Sequence, residues 1–350
     1  MKSSFIPYFA GNALAGFSCG FILCRFVTDP ESDEYRQYVL LAAALALGLA
    51  ALFGFLSDVI RDNGRFFGGT GLVLCAAAMA VAENRPTLAL VLSGIGCALF
   101  LTGGGTDAST QSSGLTRMGI FLSSALPGAA LGTKLGGDGL IPVQYPVSLL
   151  IFAALAVLLL CSGKREKTDR RCPVRKENAF PVLFTSGMLL VAVFIGGFVC
   201  FAAPHAEYEG RFAFILPAAA AFAGMFAGGV ICDTAGGRIV SSVSALLSAP
   251  LFFLGGLNYL IFAAAVFLAA AAAPAAFRGI VSKLPGYEGT GFGIALLAIL
   301  LAFLIGGKVN VPVNSTVGRI AILILAEAVA VILFFTLPDK KTKKENNANE

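Results

Sequence analysis

The chain has 350 residues, of which 57% are hydrophobic (AVILMFWYC) and 13% charged, with a formal net charge of +5; its mean hydropathy is +0.84. A soluble domain carries about a quarter charged residues, so this chain cannot cover its surface with polar groups in water and belongs in a lipid bilayer. The small positive charge is spread over short loops, which excludes a nucleic-acid-binding face.

A membrane-crossing helix needs about 20 apolar residues at about 1.5 Å of rise each. Twelve stretches are predicted to cross: 5–26, 38–56, 66–82, 87–104, 117–136, 143–161, 179–202, 212–231, 239–256, 258–277, 290–307 and 318–337. The first, FIPYFAGNALAGFSCGFILCRF, has no small-x-small cleavage site and reads as a span rather than a signal peptide. At helical spacing its Asn12, Gly16 and Cys19 share one face, with Leu14, Phe17 and Phe21 opposite. Span two runs into GFLSDVIRDNGR, which places Asp58, Arg61, Asp62 and Arg65 within eight positions.

Span four carries Ser93, Cys97 and Thr102, then GGGTD with Asp107. Span five contains SSALPGAALGTKLGG, where Pro127 removes a backbone donor and predicts a kink. Gly128, Gly132 and Gly136 beside it form a small-residue face suited to close helix packing. The stretch KREKTDRRCPVRK, with seven basic residues, separates six spans from six and reads as a solvated linker.

Span seven offers Thr185 and Ser186, and span eight runs into GGVICDTAGGR. Span ten opens with Asn258 and Tyr259. In span twelve Glu327 is the one carboxylate well inside an apolar span; a carboxylate at that depth is a candidate protonation site or a neutral structural group.

Lys and Arg are retained on the cytoplasmic side of a membrane protein. With the N-terminus inside, that side receives Lys2, Arg61, Arg65, Arg117, the central cluster, Arg238, Arg278, Lys283 and the tail DKKTKKE. The opposite loops hold Arg36, Arg85, Lys134, Arg211 and Lys308 among several acids. Both termini are therefore expected in the cytoplasm, with the chain in the plasma (inner) membrane. The eight cysteines fall mostly in apolar runs, none at metal or redox spacing, and read as small packing residues. The single histidine, His205, lies in an outer loop, so no convergent set of titratable groups or metal ligands exists for an enzyme, and no metal or cofactor is expected.

The two charged loops repeat. Gly229 follows Gly54 by 175 positions, Asp233 follows Asp58 by 175, and Phe201 follows Phe26 by 175. Arg238 follows Arg65 at a slightly shorter interval, because the first loop has two more residues. Each loop follows the second span of its half, which implies two six-span units of the same orientation. The pattern Gly-x-x-x-Asp-x-x-Gly-Arg is similar to the signature loop of the major facilitator superfamily. Gly229, Asp233, Gly236 or Gly237, and Arg238 match it, while Gly54, Asp58 and Arg65 depart from it, with two more residues between Asp58 and Gly64 than between Asp233 and Gly237.

This resemblance implies an all-α polytopic membrane protein of 12 transmembrane helices in two pseudo-symmetric six-helix bundles. The expected divisions are bundles at 1–163 and 179–337, a basic linker at 164–178 and a tail at 338–350. It further implies a cavity lined by spans one, four, seven and ten, where Asn12, Cys19, Ser93, Cys97, Thr102, Thr185, Ser186, Asn258 and Tyr259 are the candidate substrate contacts. Read from the residues alone, each better suits a hydrogen bond between helices. An Asp at the end of a span can face the positive N-terminus of a neighbouring helix or pair with Arg. Gly54, Asp58, Arg65, Gly229, Asp233 and Arg238 are thus candidate cytoplasmic gate loops.

The expectation is a monomeric secondary transporter in the lipid bilayer that moves a small, weakly polar or hydrophobic solute by alternating access, with a proton or Na+ as candidate coupling ion. The alternative is a non-transporting protein of the same build that serves as a sensor or scaffold.

Overall fold

The computed structural model describes residues 6–26, 33–60, 64–110, 114–137, 179–204, 215–284, 286–309 and 315–338. The expected sixth span, the basic linker and the tail beyond residue 338 lie outside them. The described residues are all helix and short turn: α1 Ile6–Phe26, α2 Asp33–Ala43, α3 Leu49–Val59, α4 Gly64–Val81, α5 Pro86–Thr110 and α6 Leu115–Gly137 come first. They are followed by α7 Ala179–Ala202, α8 Ile215–Ala235, α9 Gly237–Leu254, α10 Tyr259–Lys283, α11 Glu288–Gly306 and α12 Thr316–Thr336. One π turn, Ala44–Gly48, joins α2 and α3 into a single rod. That rod is longer than the expected span at 38–56, because the polar residues from Asp33 onward continue the helix. Ten described helices are long and apolar enough to cross a membrane, which makes this an integral multi-pass membrane protein. α6 has the length of an eleventh span.

Large apolar side chains stand on the outside. Leu52 and Phe55 of α3, Phe180, Leu183 and Phe184 of α7, and Leu246 and Leu247 of α9 are all exposed. In water such a surface would aggregate; in lipid it is solvated. Within the bilayer the helices close on one another through small residues instead, since apolar burial gives no advantage there.

The chain forms two compact units that are interleaved along the sequence. The first takes Met1–Thr110, Ser124–Arg171 and Gly286–Leu300; the second takes Gln111–Ser123, Cys172–Pro285 and Leu301–Glu350. In the first, Tyr8, Phe21, Ile22, Leu72, Cys75, Met79 and Phe100 are buried among α1, α4 and α5. In the second, Val199, Ala249, Phe252, Phe262, Ala265, Ile322 and Ala326 form one core cluster from α7, α9, α10 and α12. α6 and α11 are each divided between the units, with the opening turns counted in one and the remainder in the other.

Candidate functional site

Each of the two repeated aspartates caps the start of a helix. The first N–H groups of an α-helix have no partner inside it, and they carry the positive end of the helix dipole. Asp233, in the last turn of α8, receives Leu115 N–H at 2.6 Å, Thr116 N–H at 2.8 Å and the Thr116 hydroxyl at 2.5 Å. Asp58, in the last turn of α3, receives Gly289 N–H at 3.0 Å, Thr290 N–H at 2.7 Å and the Thr290 hydroxyl at 2.6 Å. Of the two roles open to these aspartates, capping a helix N-terminus is the one seen in both copies.

Glycines make the approach close enough for these bonds. A Cβ on Gly229 would lie 2.8 Å from the Leu115 carbonyl oxygen, and one on Gly54 would run into the Gly289 carbonyl. Further along, a Cβ on Gly119 would strike the Met225 carbonyl and one on Gly293 the Ala50 carbonyl. Met225 follows Ala50 by 175 positions, the same interval as the aspartates. Both contacts are thus built twice from equivalent residues.

The signature arginines sit differently. Gly236, with φ 101° and ψ 129°, turns the chain in one residue between α8 and α9, a conformation that favours glycine. Arg238 then lies in the first turn of α9 with its guanidinium carbon 4.1 Å from the ring centre of Phe334 on α12, a cation–π contact. Arg65, second residue of α4, is half-buried.

Three of the nine candidate cavity residues meet in one cluster. Ser93 of α5 lies 3.0 Å from the Ser18 hydroxyl and 3.2 Å from the Cys19 sulfur of α1; Cys19 and Cys97 sulfurs are 3.4 Å apart. Cys97 also donates to the Ala15 carbonyl at 3.2 Å. Asn12, separate from this cluster, donates from Nδ2 to Ser124 of α6 at 3.0 Å. Thr102 donates to the Ala98 carbonyl at 2.8 Å, one turn back on its own helix, and lies 3.3 Å from the Ala50 carbonyl of α3.

On α7, Thr185 donates to the Pro181 carbonyl at 2.7 Å, while Ser186 is buried and its hydroxyl has no partner among the described residues. Asn258 is exposed and caps α10, accepting from Leu260 N–H at 2.7 Å. Tyr259 stacks on Phe262 at 6.5 Å. Glu327 lies on the exposed side of α12.

Pro127 stands inside α6, which continues through it. Gly128 and Gly132 press on the Ala13 and Phe17 carbonyls of α1, and Gly16 and Gly20 press back on the Ala125 and Ala129 carbonyls. Two residues decisive for the anchors, Thr116 and Thr290, were not singled out from sequence. A signal was present: Thr-x-x-Gly-Ile occurs at 116–120 and again at 290–294, an interval of 174 that shadows the 175 of the aspartates.

The helical fold is similar to that of solved transporters, one of them described as a major facilitator superfamily transporter. Three solved structures share it over nearly the full length. FucP in its outward conformation superposes with a TM-score of 0.65 at 15% identity, covering 96% of this chain and 100% of that one. The fucose:proton symporter FucP of E. coli gives 0.55 at 15% identity, covering 95% and 93%. The human organic anion transporter MFSD10 (TETRAN) gives 0.59 at 15% identity, covering 95% and 98%. No family model matches the sequence, and no curated protein matches it at the sequence level.

Proposed function

We propose that the chain is a secondary transporter that carries a small, weakly polar solute across the membrane by alternating access, rather than an enzyme. The observation that carries this reading is the doubled anchor. Asp58 of the front half of the sequence holds the start of α11 from the rear half, and Asp233 of the rear half holds the start of α6 from the front half. Contacts of this kind form in one state of a two-state carrier and break in the other, and each weights the equilibrium by about 1–3 kcal/mol. Gly54, Asp58, Arg65, Gly229, Asp233 and Arg238 are accordingly the gate residues of this proposal, with Thr116 and Thr290 added.

The solute class follows from charge. Spans four and seven contain no Lys or Arg, so nothing on them suits a phosphate or dicarboxylate. Ser186, with its unpartnered buried hydroxyl, is the best-placed polar contact on α7. The likeness to a fucose:proton symporter supports a proton as coupling ion.

The test is flux of a neutral solute panel, sugars and weakly polar drugs included, into proteoliposomes with and without a pH gradient. Flux that rises with the gradient is expected. Absence of flux for the whole panel would overturn the transporter reading and leave a sensor or scaffold, a role to which the self-satisfied Ser18–Cys19–Ser93–Cys97 cluster is equally suited.

A further inference from the structure

Glu327 stands at the middle of α12, eleven residues after Thr316 and nine before Thr336. At about 1.5 Å per residue, roughly 14–16 Å of helix separate it from either end, the depth of the bilayer centre. α12 packs inward through Ile322, Ala326, Val329, Ala330 and Leu333. Glu327 is on the other side. It lies in a line with Val317, Ile320, Ile324 and Val331, spaced three, four, three and four residues apart. Val317 is 80% exposed, Ile324 59% and Val331 55%. On a membrane helix such a face meets lipid, where a polar group without a partner costs several kcal/mol.

We propose that this line on α12 is the contact between two copies of the chain, with Glu327 of each copy against Glu327 of the other. The spacing is that of a heptad seam, which suits two helices crossing at about 20°. Symmetry selects the occupant. Two copies inserted in the same orientation are related by a two-fold axis perpendicular to the membrane, so a residue on the contact line meets itself at the same depth. A carboxyl group is suited to that meeting, because two of them sharing a proton supply both donor and acceptor. Two facing Lys or Arg side chains could only repel. One polar residue in an otherwise apolar seam also fixes register and copy number.

The test uses the full chain, fluorescently labelled and reconstituted in phosphatidylcholine/phosphatidylglycerol liposomes over a range of protein-to-lipid ratios, with copy number read by single-molecule photobleaching. The wild type is expected to bleach in two steps at ratios where Glu327→Leu bleaches in one, with the dimer weakened about tenfold. Glu327→Gln, whose amide pairs with itself, is expected to keep most of the association. Ile324→Cys, one turn along the same line, should form disulfide-linked dimers above the wild-type background on oxidation with copper phenanthroline, a readout that does not depend on the Glu327 variants folding. One-step bleaching of the wild type at every ratio would overturn the proposal, because lipid or another protein would then cover this face. So would a Glu327→Leu protein that dimerises like the wild type. Solute flux is measured separately, so failure here leaves the transporter reading standing.

Discussion

Asp58 and Asp233 accept the same three kinds of hydrogen bond, yet the helix ends they hold differ in charge. α11 opens with Glu288, which places a second carboxylate next to Gly289 and sets like charge beside Asp58. α6 follows Thr116 with Arg117, so the helix end held by Asp233 carries a cation. The turn behind Asp233 is also fixed, by Gly236 and by Arg238 stacked on Phe334. On the gate proposal, the rear anchor is then expected to be the firmer and the front anchor to yield first.

Removing both charges would break the comparison most severely. Each charge-assisted bond is worth about 1.5–3 kcal/mol, so Asp58→Asn with Asp233→Asn is expected to shift the state equilibrium by about 100-fold. Labelling of cysteines introduced on the two membrane faces reads this directly, and unchanged labelling would remove the gate proposal. The single substitutions sharpen it. Asp233→Asn is expected to shift the same labelling by about 20-fold and Asp58→Asn by about fivefold. The reverse order would show that the neighbouring charges do not set the strength.

Gly236→Ala forces a side chain into φ 101° and should lower thermal stability in detergent by about 1–2 kcal/mol. Glu288→Gln is the gentlest change: with the like charge gone, the front anchor should tighten by at most about 0.5 kcal/mol, seen as a small shift of labelling in the opposite direction to Asp58→Asn.

The spans within the described residues and the paired aspartates were legible because both are local patterns: apolar runs of fixed length, and the same residue types at one interval. The capping of a helix start was legible as one of two options. Which helix each Asp would reach was not, since Asp58 and Thr290 are 232 positions apart and nothing local links them. Thr116 and Thr290 carry no charge and each stands one or two residues inside its helix start, so neither differs in sequence from an ordinary span-end hydroxyl. Asn258, a candidate solute contact in sequence, also caps α10, as an Asn ahead of an apolar run is suited to do. The face occupied by Glu327 could not be read either, because a span that is apolar all round has no pattern to say which side meets lipid.

The seam between α1 and α6 fixes what can move. Gly16, Gly20, Gly128 and Gly132 bring main chain against main chain along the seam, with the Thr133 hydroxyl beside Gly20 and the Asn12–Ser124 bond spanning it. Sliding one along the other would drive carbonyl oxygens into Cα atoms. The pair is therefore expected to move as a single girder. On the alternating-access proposal, the hinge is then expected elsewhere, at helix ends held by hydrogen bonds.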